Sequence, residues 1–312
     1  MPAGDLIIAE RLASPARKRD PERDFIRVAA VQQRWHPDAG EHEAALAESV
    51  AVAAQAGAEL ICTQELTLSR YFAVDPGGPA ATGALPEALP GGPTFELFAR
   101  LAREHGVYVH ASLYEEAPGE DGLGYNTAIL VGPDGELAGR TRKLHIPITA
   151  GYHEDMYFRP GPADDEAVPV YHVGHAPIGL PTCWDQWFPE LARAYGLAGA
   201  EVLIYPTAIG SEPEHPEFDT QPLWQKVMVG HAIANGLFII AVNRFGHEGE
   251  LTFYGSSFIC DPYGRILVQA PRDEPAVLVA DLDLDQRRDW LDLFPFHTTR
   301  RPDAYAKLTH PH

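Results

Sequence analysis

Cys183 is the residue of this sequence best placed to act as a nucleophile. It lies in the segment Gly179–Glu190 (GLPTCWDQWFPE), where an apolar run gives way to a predicted helix. A thiol just before a helix start tends to lose its proton, because backbone N–H groups and the helix dipole stabilise negative charge there. Since most buried cysteines are inert, a reaction at Cys183 also requires a base and a cation from elsewhere in the chain.

Glu65 and Lys143 have the side chains that would complete such a reaction. Glu65 follows the apolar run Leu60–Cys62, and the carboxyl end of a strand is where α/β proteins place functional side chains. A carboxylate withdrawn from water can accept the thiol proton, and a lysine can stabilise an oxyanion. Taken singly, Glu65 also fits a surface carboxylate and Lys143 a solvated basic stretch, so the prediction rests on their combination with Cys183.

The composition excludes several classes of partner. The chain has 312 residues, of which 45% are hydrophobic, and a formal net charge of -20. Nucleic acids and anionic membrane surfaces bind basic patches, so we expect neither as a partner. No apolar run is long enough to cross a bilayer, so we expect no membrane-spanning segment.

The cysteines are few and far apart. Cys62, Cys183 and Cys260 form no Cys-x-x-Cys pair, so neither a disulfide framework nor a structural zinc site is expected. Unpaired cysteines suit a reducing compartment, and we therefore expect a cytoplasmic protein.

Strand-like and helix-like segments alternate along the chain, which predicts an α/β layered fold. Hydrophobic periodicity and Gly or Pro boundaries predict four helices, at 41–56, 95–105, 189–197 and 224–235. Strands are predicted at 25–32, 59–63, 107–114, 125–131, 176–182, 202–205, 238–243, 256–260, 266–270 and 277–281.

Residues 25–312 show no linker-like composition and are interpreted as a single domain with a C-terminal tail. Residues 1–24 form an N-terminal extension that mixes arginines with acidic residues. Its apolar run, Leu6–Ala9, is too short for a signal peptide, and it is too acidic for a transit peptide. Two alternatives stay open for this extension: disorder, or docking on a neighbouring subunit.

Three separated segments resemble the Glu-Lys-Cys triad of the nitrilase, or carbon–nitrogen hydrolase, superfamily. They are Glu65 after its strand, Lys143 in Arg-Lys-Leu-His-Ile-Pro, and Cys183 in Cys-Trp-Asp-Gln-Trp-Phe-Pro-Glu. The resemblance covers residues 25–308. Within the superfamily, the segments 205–213, 252–258 and 301–305 are similar to those of the N-carbamoylputrescine amidases.

This resemblance implies a four-layer α-β-β-α sandwich, assembly into a homo-oligomer (a dimer or higher), and no metal or organic cofactor. It implies a cysteine-dependent amidohydrolase that takes a small carbamoyl or amide substrate. N-carbamoylputrescine would be cleaved to putrescine, CO2 and ammonia through a thioester-type intermediate. The alternatives are another N-carbamoyl amine or amino acid such as N-carbamoyl-β-alanine, an aliphatic amide, or a catalytically silent binding module.

The resemblance also implies further site residues. Glu154 matches a position where the family often has a second active-site glutamate. A substrate ammonium needs a carboxylate partner, for which Asp185, Glu190 and Glu154 are the candidates. Side chains expected to contact the substrate are Trp184, Tyr71, Asp185, Trp187 and Glu190. The chain departs from its relatives at residues 148–150, beside Lys143, which leaves substrate length and polarity open.

Overall fold

The structure is a computed structural model that describes residues 4–77, 82–117, 119, 121–149, 151–164 and 167–310. Residues 75–93 are rich in Pro, Gly and Ala, which predicts a loop. This segment and the departure at 148–150 lie partly outside the described residues. Among the described helices, none has both the length and the apolar character needed to cross a membrane.

Two sheets form the centre of the molecule. The first has seven strands in the order β1-β15-β2-β3-β4-β5-β6, in which β2, β3 and β4 run parallel. Its strands are β1 (Asp5–Ile8), β2 (Ile26–Gln32), β3 (Leu60–Cys62), β4 (Tyr108–Glu115), β5 (Tyr125–Val131), β6 (Leu137–Arg142) and β15 (Ala276–Leu282).

The second sheet has six strands in the order β14-β13-β10-β9-β8-β7, in which β8, β9 and β10 run parallel. Its strands are β7 (Tyr171–Val173), β8 (Ala176–Gly179), β9 (Val202–Thr207), β10 (Phe238–Asn243), β13 (Phe258–Cys260) and β14 (Ile266–Gln269). A separate hairpin is formed by β11 (Phe245–Glu248) and β12 (Leu251–Tyr254).

Five α-helices within the described ranges accompany the sheets. They are α1 (Ala39–Gln55), α2 (Pro93–His105), α3 (Pro189–Ala198), α4 (Gln221–Asn235) and α5 (Asp285–Leu293). The first four lie where the sequence predicts them. The glycines after α2 and α4, Gly106 and Gly236, adopt the left-handed conformation that ends a helix, and the sequence pattern predicted this role for Gly106.

The packing gives four layers. Along β2, Val28 and Ala30 join a cluster buried between the two sheets, whereas Ala29 and Val31 join a cluster with α1 and α2 on the outer face. The outer face of the second sheet is covered by α3 and α4. Both sheets are therefore buried on two faces, which explains their near-continuous apolar strands and confirms the α-β-β-α sandwich.

The N-terminal segment, residues 4–24, packs against its own chain. Strand β1 pairs in parallel with β15 at the edge of the first sheet. The arginines of the segment bind carboxylates near the C-terminus: Arg17 contacts Asp283 at 2.7 Å and Asp289 at 2.9 Å. The mixed charges are thus partners of distant residues. The domain boundary at residue 25 stays a prediction.

The ion pairs of this segment differ in burial, which gives a matched pair of variants. Arg17→Ala removes one cation from two largely buried carboxylates, of which Asp289 keeps Arg288, and is expected to lower the free energy of unfolding by about 1–3 kcal/mol. Arg19→Ala breaks only exposed contacts, with Asp292 and Glu22, and is expected to change the free energy of unfolding by less than about 0.5 kcal/mol. Urea unfolding of both variants near neutral pH measures the difference.

The loss of stability in Arg17→Ala is expected to depend on pH. Burial raises the pKa of Asp289, but hydrogen bonds from Ser14 and Arg17 outweigh it and hold the pKa below its ordinary value. The stability contributed by Asp289 is therefore present above the ordinary aspartate pKa, and it is expected to shrink as the pH falls below about 4. Equal destabilisation by the two variants at neutral pH would contradict the assignment.

Candidate active site

The site is assembled from the ends of strands in both sheets. Glu65 lies three residues after β3, and its N–H donates to the carbonyl of Thr207, the last residue of β9, at 3.5 Å. Lys143 follows β6 directly, and Cys183 lies four residues after β8. The carboxyl ends of parallel strands in the two facing sheets therefore bring these segments to one edge of the sandwich.

Lys143 is the electrostatic centre of the site. Its Nζ lies 3.0 Å from Glu65 Oε1 and 2.8 and 2.7 Å from the two carboxylate oxygens of Glu154. All three side chains are fully buried. Burial lowers the pKa of Lys143, but the charges of Glu154 and Glu65 outweigh it and raise the pKa, so the ammonium form persists.

Glu154 shares this cation with Glu65. Burial raises the pKa of Glu154 to about 7; the Lys143 charge opposes this rise and the Glu65 charge adds to it. Glu154 Oε1 also accepts a hydrogen bond of 2.5 Å from the Tyr71 hydroxyl. Glu154 is therefore held by two donors, one of which is charged.

Glu65 has one oxygen engaged and one available. Its Oε1 accepts from Lys143 and, at 2.7 Å, from Asn126 Nδ2, whose own carbonyl is bound by the Ser112 hydroxyl at 3.3 Å. Its Oε2 has no hydrogen-bond partner in the part of the chain that the structure describes. This carboxylate is oriented through one oxygen and can accept a proton on the other.

Cys183 is buried and has a positive φ of 42°, which is uncommon for a residue other than glycine. Burial raises the pKa of its thiol well above the ordinary value, and the charge of Glu65 raises it further, although Lys143 lowers it. The thiol is thus neutral at rest. The expectation of a thiolate from position alone is corrected, because Cys183 begins a five-residue 3-10 turn (Cys183–Trp187) and not a longer α-helix, and because burial outweighs the stabilisation that Lys143 provides.

A cavity of about 120 Å³ opens onto Cys183. This is well below the roughly 300–1,000 Å³ of sites for drug-sized ligands, so it suits a small linear molecule. Three of the expected residues, Glu154, Trp184 and Trp187, line it. The remaining lining residues are Pro147, Thr149, Tyr152, Ala208, Ile209, Glu212, Thr220 and Leu223.

Three residues expected to contact the substrate lie elsewhere. Both oxygens of Asp185 are occupied, one by His145 at 2.7 Å and the other by the Thr182 N–H at 2.9 Å, so it orders the turn of Cys183. Glu190 lies in the first turn of α3 and faces a surface groove beside the C-terminal tail. Tyr71 is fully buried behind Glu154. The structure does not support a direct substrate contact for these three residues.

Glu212 is the charged residue among the lining residues that the sequence reasoning missed. It follows β9 by five residues, so its place after a parallel strand of the second sheet was the available signal. In the structure it accepts a hydrogen bond from the Thr220 hydroxyl at 3.2 Å and has no ion pair among the described residues. A carboxylate in the cavity is thus open to a ligand.

Metal binding has no evident site in the described ranges. No group of three or more His, Cys, Asp or Glu side chains that could hold a metal ion occurs among them. The carboxylates of Glu65 and Glu154 are instead committed to Lys143.

The sandwich and its buried Cys, Lys and Glu side chains define a hydrolase of carbon–nitrogen bonds. The carbon–nitrogen hydrolase family matches residues 27–292, and the chain belongs to this family. It is 41% identical to an N-carbamoylputrescine amidase of Solanum lycopersicum, over 91% of this chain and 95% of that protein. It is 38% identical to a citrullinase of Francisella tularensis, over 91% and 98% of the two chains.

Solved structures agree with this assignment. A carbon–nitrogen hydrolase from Helicobacter pylori G27 superposes with a TM-score of 0.78 at 31% identity, covering 92% of this chain and 99% of that one. The nitrilase-type sandwich implied by the sequence resemblance is therefore confirmed.

The charge state of Cys183 can be tested by alkylation. Because burial and the Glu65 charge raise the pKa of the thiol, its reaction with iodoacetamide is expected to rise from about pH 7 to 9 without a plateau. Glu65→Gln removes one negative charge and is expected to shift this dependence to lower pH. Mass spectrometry of the Cys183 peptide measures the labelling.

Two internal controls are available. Burial also raises the pKa of Cys62 and of Cys260, so both are expected to stay unlabelled while the protein is folded. Two results would contradict the proposed electrostatics: an alkylation rate of Cys183 that reaches a plateau below about pH 8 in the wild type, or a pH dependence that moves to higher pH in Glu65→Gln.

Proposed function

We propose that this chain hydrolyses N-carbamoylputrescine to putrescine, CO2 and ammonia. The observation that supports this substrate most directly is Glu212, a carboxylate in the same cavity as Cys183. The name of the Solanum relative agrees with the proposal. A cation at the far end of the substrate would supply the ion-pair partner that Glu212 lacks among the described residues.

The charge of the cavity separates this substrate from the alternatives. Its lining residues include Glu154 and Glu212 but no Arg, Lys or His within the described ranges. A substrate ammonium is stabilised there, whereas the carboxylate of N-carbamoyl-β-alanine or of citrulline would be desolvated beside like charges. Ile209 and Leu223 offer apolar contacts to a methylene chain between the two ends.

The first step forms a bond between sulfur and carbon. Glu65 removes the proton of Cys183, and the thiolate attacks the terminal ureido carbon. The negative charge that develops on the carbonyl oxygen is stabilised by the Lys143 ammonium and the Trp184 N–H. Such preorganised donors are usually the largest electrostatic contribution to catalysis.

The second step breaks the terminal C–N bond. Glu65 returns its proton to the leaving nitrogen, ammonia departs, and the carbamoyl group stays on the sulfur as a thioester-type intermediate. Water, which gives a proton to Glu65, then attacks the same carbon and releases the thiol. The resulting carbamate of putrescine decomposes to CO2 and the free diamine.

Glu154 and Tyr71 have supporting roles in this proposal. Glu154 holds the Lys143 ammonium through both carboxylate oxygens, and Tyr71 fixes Glu154. With Glu154 in place, Lys143 stays directed at the oxyanion position when Glu65 exchanges its proton.

We also propose a homo-oligomer in a reducing, cytoplasmic setting. Exposed apolar residues near the C-terminal tail support the oligomer, among them Leu197 on α3 and Tyr305 and Leu308 on the tail. Three free cysteines support the reducing compartment.

A substrate panel tests the proposal. Ammonia release is expected to be fastest from N-carbamoylputrescine, at least about tenfold slower from N-carbamoyl-β-alanine and citrulline, and slower again from propionamide. Cys183→Ala is expected to abolish release from every member while circular dichroism stays unchanged. A preference for the carboxylate-bearing substrates would contradict the proposal, and activity in Cys183→Ala would contradict the mechanism.

Glu212→Gln tests the recognition of the ammonium. Loss of a charged hydrogen bond, worth about 1.5–3 kcal/mol, is expected to raise the KM for N-carbamoylputrescine by about 10–100-fold. N-butylurea, which lacks the ammonium, should be hydrolysed with unchanged kinetic constants. Glu214→Gln, on an exposed neighbour outside the cavity, is the control and should leave both substrates unaffected. Equal effects of Glu212→Gln on the two substrates would exclude the assigned role.

A further inference from the structure

A second buried ion pair lies outside the cavity and contacts the turn that contains Glu65. Arg244 follows β10 directly, and its Nη1 contacts the two carboxylate oxygens of Glu248, at the end of β11, at 2.8 and 3.0 Å. The Arg244 side chain is completely buried and that of Glu248 is 3% exposed. Buried ion pairs are costly to desolvate, so their placement calls for a reason beyond stability.

The guanidinium fixes a strained turn of the main chain. Its Nη2 donates to the carbonyl oxygens of Glu65 at 2.6 Å, Leu66 at 3.1 Å and Ser69 at 3.3 Å. Leu66 has a positive φ of 45°, a conformation that costs free energy for a residue with a side chain. Three hydrogen bonds from one rigid group hold this turn, and Glu65 is its first residue.

Glu248 is also connected to Glu154, through Tyr71. Its Oε2 accepts from the Tyr71 N–H at 2.8 Å, and the Tyr71 hydroxyl donates to Glu154 at 2.5 Å. The contacts therefore close a ring, which runs through Lys143, Glu65, Arg244, Glu248, Tyr71 and Glu154 and returns to Lys143.

We propose that Arg244 is a positioning residue that sets where the Glu65 carboxylate lies relative to Lys143 and Cys183. The inference rests on the proposed roles of Glu65 and Lys143. Arg244 does not line the cavity, so it acts through the turn and not through substrate contact. Only a planar, multidentate donor can bind three carbonyls and a carboxylate at once; a lysine ammonium has three donors at a single point.

The test compares two arginines that bind main-chain carbonyls. In Arg244→Lys, kcat is expected to fall about 100-fold while KM changes less than about threefold, because a small misplacement of a reacting group costs that much. Arg287 donates to the carbonyls of Asn235, Gly236 and Gly196, away from the site. Arg287→Lys is therefore the matched control, expected to lower Tm with wild-type kcat and KM.

Rates are expressed per folded site, counted by stoichiometric alkylation of Cys183. If Arg244→Lys does not fold, Glu248→Gln replaces it, with a smaller but parallel fall in kcat at unchanged KM. The inference is overturned if Arg244→Lys, or Glu248→Gln in its place, keeps the wild-type kcat per folded site. It is also overturned if kcat falls as much in Arg287→Lys as in that variant.

The outcome is separable from the substrate assignment. The ratio of variant to wild-type kcat is measured on N-carbamoylputrescine or, if the wild type does not hydrolyse it, on the fastest of N-carbamoyl-β-alanine, citrulline and propionamide. Failure of N-carbamoylputrescine as a substrate overturns the proposed function alone. If the variant and the wild type have nearly equal kcat on the substrate that is hydrolysed, only the role of Arg244 is overturned.

Discussion

The buried ammonium of Lys143, shared between the carboxylates of Glu65 and Glu154, is the interaction on which the rest of the site depends. An ion removed from water costs several kcal/mol unless it is paired, and here one cation is paired with two anions. Burial raises the pKa of Glu154 and of Cys183, and the Glu65 charge adds to both rises while the Lys143 charge opposes them. The site therefore rests with a neutral thiol beside a carboxylate that can accept its proton, and not as a preformed thiolate.

The fold supplies this arrangement through its two sheets. Glu65 comes from the first sheet and Cys183 from the second, and the hydrogen bond between Glu65 N–H and Thr207 joins their strand ends directly. Because both sheets are buried on two faces, neither can shift without disturbing a close-packed core. The carboxylates are thus fixed by the same packing that stabilises the sandwich.

Much of this architecture could be predicted from the sequence, because parallel buried strands and their helices have strong local patterns. The strands before Glu65 and Cys183 and the helix that begins at Pro189 lie where periodicity indicated. Strand β1 and helix α5 were missed. Strand β1 has only four residues and depends on pairing with β15, which is distant in the chain. Helix α5 likewise depends on distant partners, such as Arg17 for its Asp289. The hairpin β11–β12 was missed as well.

The protonation state of Cys183 could not be predicted for a different reason. Sequence position indicated a helix terminus, which favours a thiolate, but the pKa is set mainly by burial and by charges that are distant in the chain. The contacts of Asp185 were equally hidden, because a carboxylate two residues after the nucleophile appears available until the Thr182 N–H and His145 are seen to occupy it. The local sequence pattern predicts the helix or strand on which a side chain lies. The pKa and the hydrogen-bond partners of that side chain depend on residues that are distant in the sequence and close in the fold.

The two carboxylates of the cavity illustrate the same distinction. Glu154 and Glu212 both line it, yet Lys143 neutralises the first while the second has only the Thr220 hydroxyl among the described residues. A ligand cation would therefore compete with a buried lysine at Glu154 but would meet an unneutralised charge at Glu212. In the proposed function, Glu154 acts at the reacting end through the Lys143 ammonium that it binds, and Glu212 acts at the far end through a charge that no lysine among the described residues offsets. The difference between the two carboxylates follows from the position of Lys143.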